Sequence, residues 1–390
     1  MQFSFKKINI ESPTPTTQFG HSVQTYLLSE YRDHLYARVF GLKQDDEWII
    51  HISFDLLCMD LEHRNLIQDE VRKFYGNDNI HLITSATHTH YANNPKDEKY
   101  QPWLMKTVID GICSMEYKEY DDVTTSYQHV HTNAVGKSRI SGYETGLENL
   151  CLISLFSKEE NLLNIVINNC HPTTLIADSK FFSAEYPGYV LKLLEDNEPG
   201  NYTFIQGASG DISSRFTRSG QGYEDMVAGA EKLYGEISEL MDHRKDNLVP
   251  FKIEYKEVPV EYEHDFSPVD LSKIRSDLSP RELETIRIGQ QVREKMNSNT
   301  DSEGRIMNVI KEAAIAALDL GSVKIIFFPN EIFSAYMEGL DLDKTMLVSY
   351  SNGYGPYVLP IDFPYITYEM FTDTLSRDCK LKLIDIIKTI

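Results

Sequence analysis

The sequence predicts an α/β fold, with a mixed β-sheet core flanked by helices. Short apolar runs typical of strands alternate with segments whose apolar residues recur at helical spacing. Between residues 47 and 86 a strand, a helix and another strand follow one another, which is the order of a βαβ unit with parallel strands. Several apolar runs end in polar residues, and α/β proteins place their functional groups at such strand ends.

Length, charge and terminal sequence restrict the class of protein. With 390 residues the chain can bury a large core and shows no clear linker, so we expect a single domain over residues 1–390. A formal net charge of −21 disfavours nucleic acid and anionic lipid surfaces, which bind positively charged proteins. The N-terminus lacks the pattern of a secretory signal, and no apolar run is long enough to span a bilayer. We therefore expect a cytoplasmic, acidic protein without stable membrane insertion.

Strands and helices follow one another along most of the chain. Apolar alternation predicts a strand pair around residues 251–262 and strands at residues 35–40, 47–56, 80–83, 124–131, 150–156, 162–168, 202–205, 323–328 and 345–350. Helical spacing predicts helices at residues 60–74, 224–241 and 306–318. Between residues 242 and 305 the composition becomes charged, which predicts a helical insertion on the core. Within it, Ser279-Pro280-Arg281-Glu282 resembles a capping box and predicts the start of a further helix.

The strand at residues 80–83 leads into the first histidine motif, Thr87-His88-Thr89-His90. Successive side chains of a strand point to opposite faces, so His88 and His90 are expected to share one face and could bind a common ligand. The alternative is a pair of polar residues at an exposed strand terminus. A second motif, His129-Val130-His131, is followed by no further ligand-like group, and we interpret it as part of an ordinary strand.

Two further strand ends carry residues that can bind a metal ion. The strand at 162–168 runs into His171, whose backbone is restricted by the following Pro172. The strand at 323–328 is followed by Glu331. Two neutral imidazoles and one carboxylate are typical ligands of catalytic zinc sites, where they leave one coordination position open for water. His88, His171 and Glu331 therefore predict a mononuclear zinc site at the strand ends.

A stretch of small residues, Gly207–Ser214, follows the strand at 202–205. It is not the nucleophile elbow of serine hydrolases, because Gly210 directly follows Ser209. It also lacks the Gly-Lys-Ser/Thr sequence of a phosphate-binding loop. A serine hydrolase that uses Ser209 or Ser213 remains an alternative at this point.

Five short motifs lie at strand ends or in the loops that follow them. They are Ser85-Ala86-Thr87-His88-Thr89-His90, His171-Pro172-Thr173, Gly210-Asp211-Ile212-Ser213, Pro329-Asn330-Glu331 and Tyr354-Gly355-Pro356-Tyr357-Val358. In this order they resemble the neutral (non-lysosomal) ceramidases and their shorter bacterial relatives, from about residue 20 to residue 369. The resemblance implies the fold of the ceramidase catalytic domain, and residues 1–390 would then form one zinc hydrolase domain.

The resemblance also implies a zinc-dependent amidase with four metal ligands. These are His88, His171, Glu331 and Tyr357. Tyr357 is preferred to Tyr354 because it precedes Val358, as in the motif of the family. Such an enzyme would cleave an amide bond with a metal-activated water.

Four more residues receive roles only through this resemblance. His90 and Arg139 would lie against the substrate, Tyr368 would stabilise the developing oxyanion, and Ser213 aligns with a serine sometimes proposed as a nucleophile. A histidine in the position of His90 can pass a proton to the leaving amine, and Arg139 or Tyr368 can donate to the negative oxygen. The alternatives are a surface ion pair for Arg139, an aromatic at the edge of the core for Tyr368 and a partner of a metal ligand for His90. For Ser213 we favour a structural role, because no histidine lies nearby in sequence to activate it.

The sequence departs from the ceramidase pattern around the expected cleft. Ser214-Arg215 replaces a Pro-Asn pair, Asn330 replaces a glycine and Leu359-Pro360 replaces two threonines. We therefore expect a soluble ceramide-like or other N-acyl substrate rather than ceramide in a bilayer. The alternatives are a zinc-dependent ester, lactone or phosphoester hydrolase and a non-catalytic metal-binding protein that recognises a ligand.

Overall fold

The computed structural model describes residues 1–20, 27–132, 134–158, 160–300, 306–307 and 309–390. The strands in chain order are β1 (Gln2–Asn9), β2 (Gln18–Phe19), β3 (Tyr36–Gln44), β4 (Glu47–Phe54), β5 (Ile80–Ala86), β6 (Ala92–Asn93), β7 (Lys118–Glu119), β8 (Val123–His131), β9 (Lys137–Ser138), β10 (Asn149–Ser157), β11 (Glu160–Asn168), β12 (Tyr202–Gln206), β13 (Ile212–Ser213), β14 (Val249–Pro250), β15 (Glu254–Glu261), β16 (Glu312–Asp319), β17 (Lys324–Phe327), β18 (Asn330–Ile332), β19 (Thr345–Val348) and β20 (Gly355–Val358). The helices are α1 (Leu61–Tyr75), α2 (Tyr100–Cys113), α3 (Glu185–Asn197), α4 (Tyr223–Asp242), α5 (Pro280–Ser298), α6 (Tyr368–Thr372) and α7 (Arg377–Thr389). Short 3₁₀ turns cover Ser214–Phe216, Leu271–Lys273 and Ser334–Met337.

Three of the described sheets share one strand pattern. In the first, β1, β3 and β4 are antiparallel neighbours, and β5 pairs with β4 in parallel. The second repeats this pattern with β8, β10, β11 and the parallel strand β12. The third repeats it with β15, β16, β17 and the parallel strand β19. The predicted mixed α/β architecture is confirmed, and the recurrence lies in the topology, since the sequence itself indicates no internal repeat.

All three sheets contribute one face to a shared apolar core. Ile49 of the first sheet, Ile165 of the second and Phe327 of the third belong to this core, and each side chain is fully buried. Helices cover the opposite face of the first two sheets. Residues of α1 and α2 pack on the first sheet, and residues of α3 and α4 pack on the second.

The parallel strands of the three sheets end close together. Ser85 at the end of β5 forms an antiparallel bridge with Ser351, which follows β19. Gly207, which follows β12, forms a similar bridge with Val348 of β19. Because the polar residues of the sequence lie beyond these strand ends, the topology brings three separate loops into one region.

The predicted βαβ unit is confirmed by α1, which connects β4 to its parallel neighbour β5. The helix ends before Gly76, whose φ of 60° is the left-handed conformation that favours glycine at a helix C-terminus. The predicted helix at 224–241 is likewise confirmed as α4. Among the described helices, none combines the length and the apolar character needed to cross a bilayer.

The predicted helix at residues 306–318 is wrong, because the chain forms β16 there. Residues 312–319 pair with β15 over eight positions and also with β17. Their alanine-rich sequence has good helix propensity, but pairing on both sides and burial outweigh such local preferences. Residue 308, within the predicted helix, lies outside the described residues. The predicted strand pair at 251–262 is the single long strand β15, whose partner β16 comes later in the chain.

The charged segment at residues 242–305 includes the capped helix that the sequence predicted. Ser279 Oγ accepts from the Glu282 N–H at 3.3 Å, and the Ser279 N–H donates to Glu282 Oε2 at 2.8 Å, which confirms the capping box. Gly289 lets α5 lie close against α6, since a Cβ there would be 2.9 Å from Phe371 Cδ2. Residues 301–305 of the predicted insertion lie outside the described residues, and its boundaries stay a prediction.

His51 places a titratable group inside the shared core. Its side chain is fully buried on β4, its ring stacks on Phe40 with centroids 4.8 Å apart, and its Nε2 is 3.0 Å from Ser85 Oγ. Burial lowers the pKa of His51 from 6.5 to about 3. The unfolded chain therefore takes up this proton at a higher pH than the folded chain does.

We expect the unfolding free energy of His51→Gln to fall less steeply at acidic pH than that of the wild-type protein. Because the folded pKa of His51 is depressed, each pH unit below 6.5, and down to about 3, costs the wild-type protein about 1.4 kcal/mol of unfolding free energy. Urea unfolding at pH 7 and pH 5 measures this dependence, and the variant should lose about 2 kcal/mol less than wild type over that interval. His129→Gln, at a partly exposed histidine on β8, is the control. Parallel profiles for His51→Gln and wild type would contradict the assignment.

Candidate metal centre

His88 lies in the loop after β5, which ends at Ala86. The prediction that strand alternation places His88 and His90 on one face is therefore wrong, because neither residue belongs to the strand. His88 instead adopts a left-handed conformation with φ of 65°, which costs a non-glycine residue about 1–2 kcal/mol. Strain of this kind is common at functional sites. The resulting turn still brings the two rings together, with centroids 5.0 Å apart.

The His88 ring is held in a defined orientation. Its Nδ1 is 2.7 Å from the Leu57 carbonyl oxygen, so Nδ1 carries the proton and Nε2 presents a lone pair. Tyr350 stacks on the ring at a centroid distance of 3.7 Å. Nε2 is buried, lies 3.6 Å from Glu331 Oε2 and has no hydrogen-bond partner among the described residues. An unsatisfied buried acceptor costs about 1–3 kcal/mol, and a metal ion is a ligand that would remove this cost.

His171 follows β11 and faces the same space. Its backbone N–H donates to the Ile212 carbonyl at 2.9 Å, and His171 forms a bridge with Ser213, which fixes the loop against β13. Its Nδ1 is 3.9 Å from Glu331 Oε2. Burial and the nearby His88, Arg139 and His90 lower the pKa of His171 well below its ordinary value. The imidazole is therefore neutral at physiological pH, which is the form that binds metals.

Glu331 lies in β18, which pairs in parallel with β20 and places Tyr357 opposite it. A close backbone approach holds this pair against the Gly207–Ser214 loop, because Gly210 donates to the Ile332 carbonyl at 2.9 Å. A Cβ on Gly210 would lie 2.8 Å from the Glu331 carbonyl oxygen, so the position favours glycine. Burial alone would raise the pKa of Glu331, but His88 and hydrogen bonds from neighbouring side chains lower it overall. The carboxylate is therefore ionised.

Three tyrosines surround the Glu331 carboxylate. Tyr354 donates to Oε1 at 2.7 Å, and the Tyr350 hydroxyl is 3.5 Å from Oε2 and 3.4 Å from His171 Nδ1. Burial and Glu331 raise the pKa of Tyr357 well above its usual value, whereas the guanidinium of Arg139 opposes this shift. Sequence reasoning missed the roles of Tyr350 and Tyr354. Their only signal was position, since Tyr350 follows β19 as His88 follows β5, and Tyr354 belongs to the motif of Tyr357.

His90 offers a second way of completing a metal site. Its Nδ1 is 3.0 Å from the Gly20 carbonyl oxygen, and its Nε2 is 3.0 Å from His171 Nε2. One ligand atom from each of His88, His90 and His171 can be chosen so that all lie within 4.8 Å of one another. These three histidines could hold a metal ion. The His88, His171 and Glu331 set of the sequence analysis shares two of its members with them.

Arg139 and Tyr368 lie beside these groups. Arg139 Nη2 is 2.9 Å from Glu369 Oε1 and donates to the Gly210 carbonyl at 2.7 Å and to the Tyr357 hydroxyl at 3.1 Å. The ion pair is buried, so Arg139 is not part of a surface pair. Tyr368 begins α6, and its ring packs edge-on against Tyr357 at 6.2 Å. Burial raises the pKa of Tyr368 to about 12, so its hydroxyl remains a donor at neutral pH.

The two candidate serines make structural contacts. Ser213 Oγ accepts from the Arg215 N–H at 3.4 Å, at the start of the 3₁₀ turn 214–216, and Ser213 forms a bridge with His171. Ser209 is buried, with its Oγ 3.0 Å from the Tyr350 hydroxyl. These contacts fit the structural role that the sequence analysis favoured for Ser213.

Glu185 is a site residue that sequence reasoning missed. Its buried carboxylate accepts from Thr89 Oγ1 at 3.1 Å and from the His90 N–H at 3.2 Å. It also accepts from the Thr174 N–H and hydroxyl, each at 2.8 Å. Glu185 thereby ties the loop of His88 to the loop of His171. The sequence carries no signal for this role, because an acidic residue at a helix start is ordinary.

We expect Glu185→Gln to weaken metal binding and activity by about 10- to 100-fold, as is typical when a partner of the metal-site residues is altered. The amide nitrogen of glutamine would meet donors where the carboxylate accepts, so the two loops would separate. Metal affinity by competitive chelation and turnover of an N-acyl amide test this. Asp196→Asn, on the exposed side of α3 where Asp196 pairs with Lys192, is the control. Unchanged metal affinity in Glu185→Gln would contradict the role.

Comparison with known proteins gives matches at the level of structure. No family model and no curated protein matches the sequence. The neutral ceramidase from Pseudomonas aeruginosa aligns with a TM-score of 0.75 and 13% identity, over 99% of this chain and 73% of that chain. A ceramidase complexed with C2 aligns with a TM-score of 0.74 and 13% identity, over 99% of this chain and 74% of that one. The protein therefore has the fold of the neutral ceramidases, as its five motifs implied.

Proposed function

We propose that this protein is a zinc-dependent hydrolase that cleaves the amide bond of a soluble N-acyl compound. One observation carries the proposal. The buried Nε2 of His88 lies 3.6 Å from Glu331 Oε2 and has no hydrogen-bond partner among the described residues, in a fold whose matched structures are ceramidases.

The donor set fits a zinc ion. His88, His171 and Glu331 would bind it, and Tyr357 would be the fourth ligand. Neutral imidazoles and an ionised carboxylate are the ligands of catalytic zinc sites, and the Arg139 guanidinium next to Tyr357 favours the phenolate form. When bound, the ion would act as a Lewis acid on the substrate carbonyl and make a water molecule more acidic.

The surrounding side chains can carry the proton transfers and hold the developing charge. His90 donates through Nδ1 to Gly20, and its Nε2 lies 3.0 Å from His171 Nε2. Once this contact opens, Nε2 would accept a proton and later deliver it to the leaving nitrogen. Arg139 and the Tyr368 hydroxyl can donate to the negative oxygen of the tetrahedral intermediate. Glu369 would act as a positioning residue, since its 2.9 Å ion pair directs the Arg139 guanidinium. Ser213 would support the His171 loop rather than attack the substrate.

The proposal is tested with metal analysis and a small set of substrates. We expect about one zinc ion per chain, loss of N-decanoyl amide hydrolysis with a chelator and recovery when zinc is added. A serine-directed reagent should leave turnover intact. Preference for the matching ester, lactone or phosphoester would favour the alternative hydrolases, and zinc binding without turnover of any substrate would favour a non-catalytic role. Faster turnover of ceramide in vesicles than of soluble amides would overturn the predicted substrate class.

A further inference from the structure

Two cavities lie next to the candidate metal centre. One cavity, of about 220 Å³, is lined by Glu331 and Tyr357 together with apolar side chains that include Met296 and Ile310. The other, of about 140 Å³, is lined by Arg139, Arg215 and Arg275 together with Ile286 and Ile366. Tyr368 lines both. The site therefore offers a mostly apolar space and an arginine-lined space that also contains Glu282 and Glu369, and the two spaces share Tyr368.

The arginines of the second cavity differ in their partners. Arg139 pairs with Glu369 at 2.9 Å, and Arg275 pairs with Asp277 at 2.6 Å. Arg215, in contrast, has no carboxylate within salt-bridge distance among the described residues, and its Nη1 is 3.5 Å from the Arg139 carbonyl oxygen. One guanidinium of the cavity thus forms no ion pair within salt-bridge distance among the described residues.

Two carboxylates, Glu282 and Glu369, line the same cavity, but neither pairs directly with Arg215. Glu282 Oε1 accepts from Ser141 at 2.7 Å, and its Oε2 accepts from the Ser279 N–H at 2.8 Å. Burial and the nearby guanidiniums of Arg139, Arg281 and Arg218 lower the pKa of Arg215, and the Glu369 carboxylate opposes this shift. Positive charge accumulates here although the chain as a whole has a net charge of −21.

We propose that Arg215 binds a carboxylate of the substrate in the arginine-lined cavity, while the acyl chain occupies the apolar cavity beyond Tyr368. The substrate class would then be N-acylated amino acids, and this inference rests on the proposed amidase function. A guanidinium matches a carboxylate in shape and charge and binds it through two parallel hydrogen bonds. The small volume of the arginine-lined cavity suits the short amine part of such a molecule.

Two non-hydrolysable ligands test the inference by binding alone. Decylsulfonyl-glycine and decylsulfonyl-ethanolamine share the alkyl chain and the sulfonamide, and only the first carries a carboxylate. Calorimetry on the zinc-loaded protein should give about 10- to 100-fold tighter binding of the glycine compound, as expected for a hydrogen bond to a charged group. This preference should fall to about threefold or less in Arg215→Gln. The control Arg287→Gln, at an exposed arginine of α5 that pairs with Glu284, should retain it.

Equal binding of the two sulfonamides by the wild-type protein would overturn the inference, as would a preference that survives in Arg215→Gln. If Arg215→Gln does not fold, Arg281→Gln replaces it, and the expected loss of the binding preference is then smaller and disappears at high salt.

Turnover separates this inference from the proposed function. If neither N-decanoyl-glycine nor N-decanoyl-ethanolamine is hydrolysed, the amidase fails while the binding preference still tests Arg215. If both are hydrolysed equally and bind equally, only the carboxylate site fails.

Discussion

If the site holds zinc as we propose, His88→Ala should lose the metal ion and reduce amide hydrolysis by on the order of 10³-fold or more, because a Lewis-acid metal contributes several kcal/mol to the transition state. The His88 ring is held in a defined orientation at the site. The Leu57 carbonyl fixes its tautomer, and Tyr350 holds its plane. Metal analysis of the purified variant and steady-state turnover measure the two effects. His129→Ala, in the second histidine motif on β8, should leave both unchanged.

A second variant keeps this test meaningful if alanine disturbs the loop. Asn tolerates the left-handed conformation of His88 better than alanine, so His88→Asn should fold as wild type does and still lose zinc.

His90→Ala distinguishes the two possible ligand sets. If His90 moves a proton, zinc is retained and turnover falls about 10²- to 10⁴-fold. Loss of zinc from His90→Ala would favour the ligand set His88, His90 and His171. Unchanged zinc content in His88→Ala would contradict both ligand sets.

The convergence of His88, His171 and Glu331 could be anticipated because each follows an apolar run that reads as a strand. The sequence predicts that these strands end at one edge of a sheet. They belong to three different sheets instead, and bridges between the strand ends bring the residues together. The details of the turn could not be anticipated in the same way. His88 reaches the site through a left-handed backbone rather than strand alternation, and nothing in Thr-His-Thr-His requires that conformation.

Other parts of the site depend on contacts that the sequence does not reveal. Glu185 begins an ordinary helix, and its role follows only from the folding of two loops around it. Residues 312–319 form a strand because β15 and β17 lie on both sides, whereas their local composition favours a helix. In both cases long-range packing decides the outcome, which periodicity and propensity cannot describe.

Arg139→Met is expected to destabilise the protein by about 3–5 kcal/mol, the usual cost of removing one partner of a buried ion pair. The side chains of Arg139 and Glu369 are only 13% and 7% exposed, so Glu369 would be left as a buried carboxylate without its counter-charge. Urea unfolding measures the change. The exposed pair Arg377 and Asp362, at 62% and 84% side-chain exposure, provides the control, and Arg377→Met should cost about 1 kcal/mol or less.

A double-mutant cycle separates this ion pair from the other contacts of Arg139. If the cost comes from the unpaired Glu369 carboxylate, the double variant Arg139→Met/Glu369→Gln should lose clearly less stability than the sum of the two single changes. Additive losses would mean that the bonds to Gly210 and Tyr357 carry the effect instead. Arg139→Lys keeps the positive charge but loses the planar guanidinium group, so it should retain more stability than Arg139→Met. If Arg139 donates to the substrate oxygen as we propose, turnover of Arg139→Lys should nevertheless remain low, because this donor would be displaced.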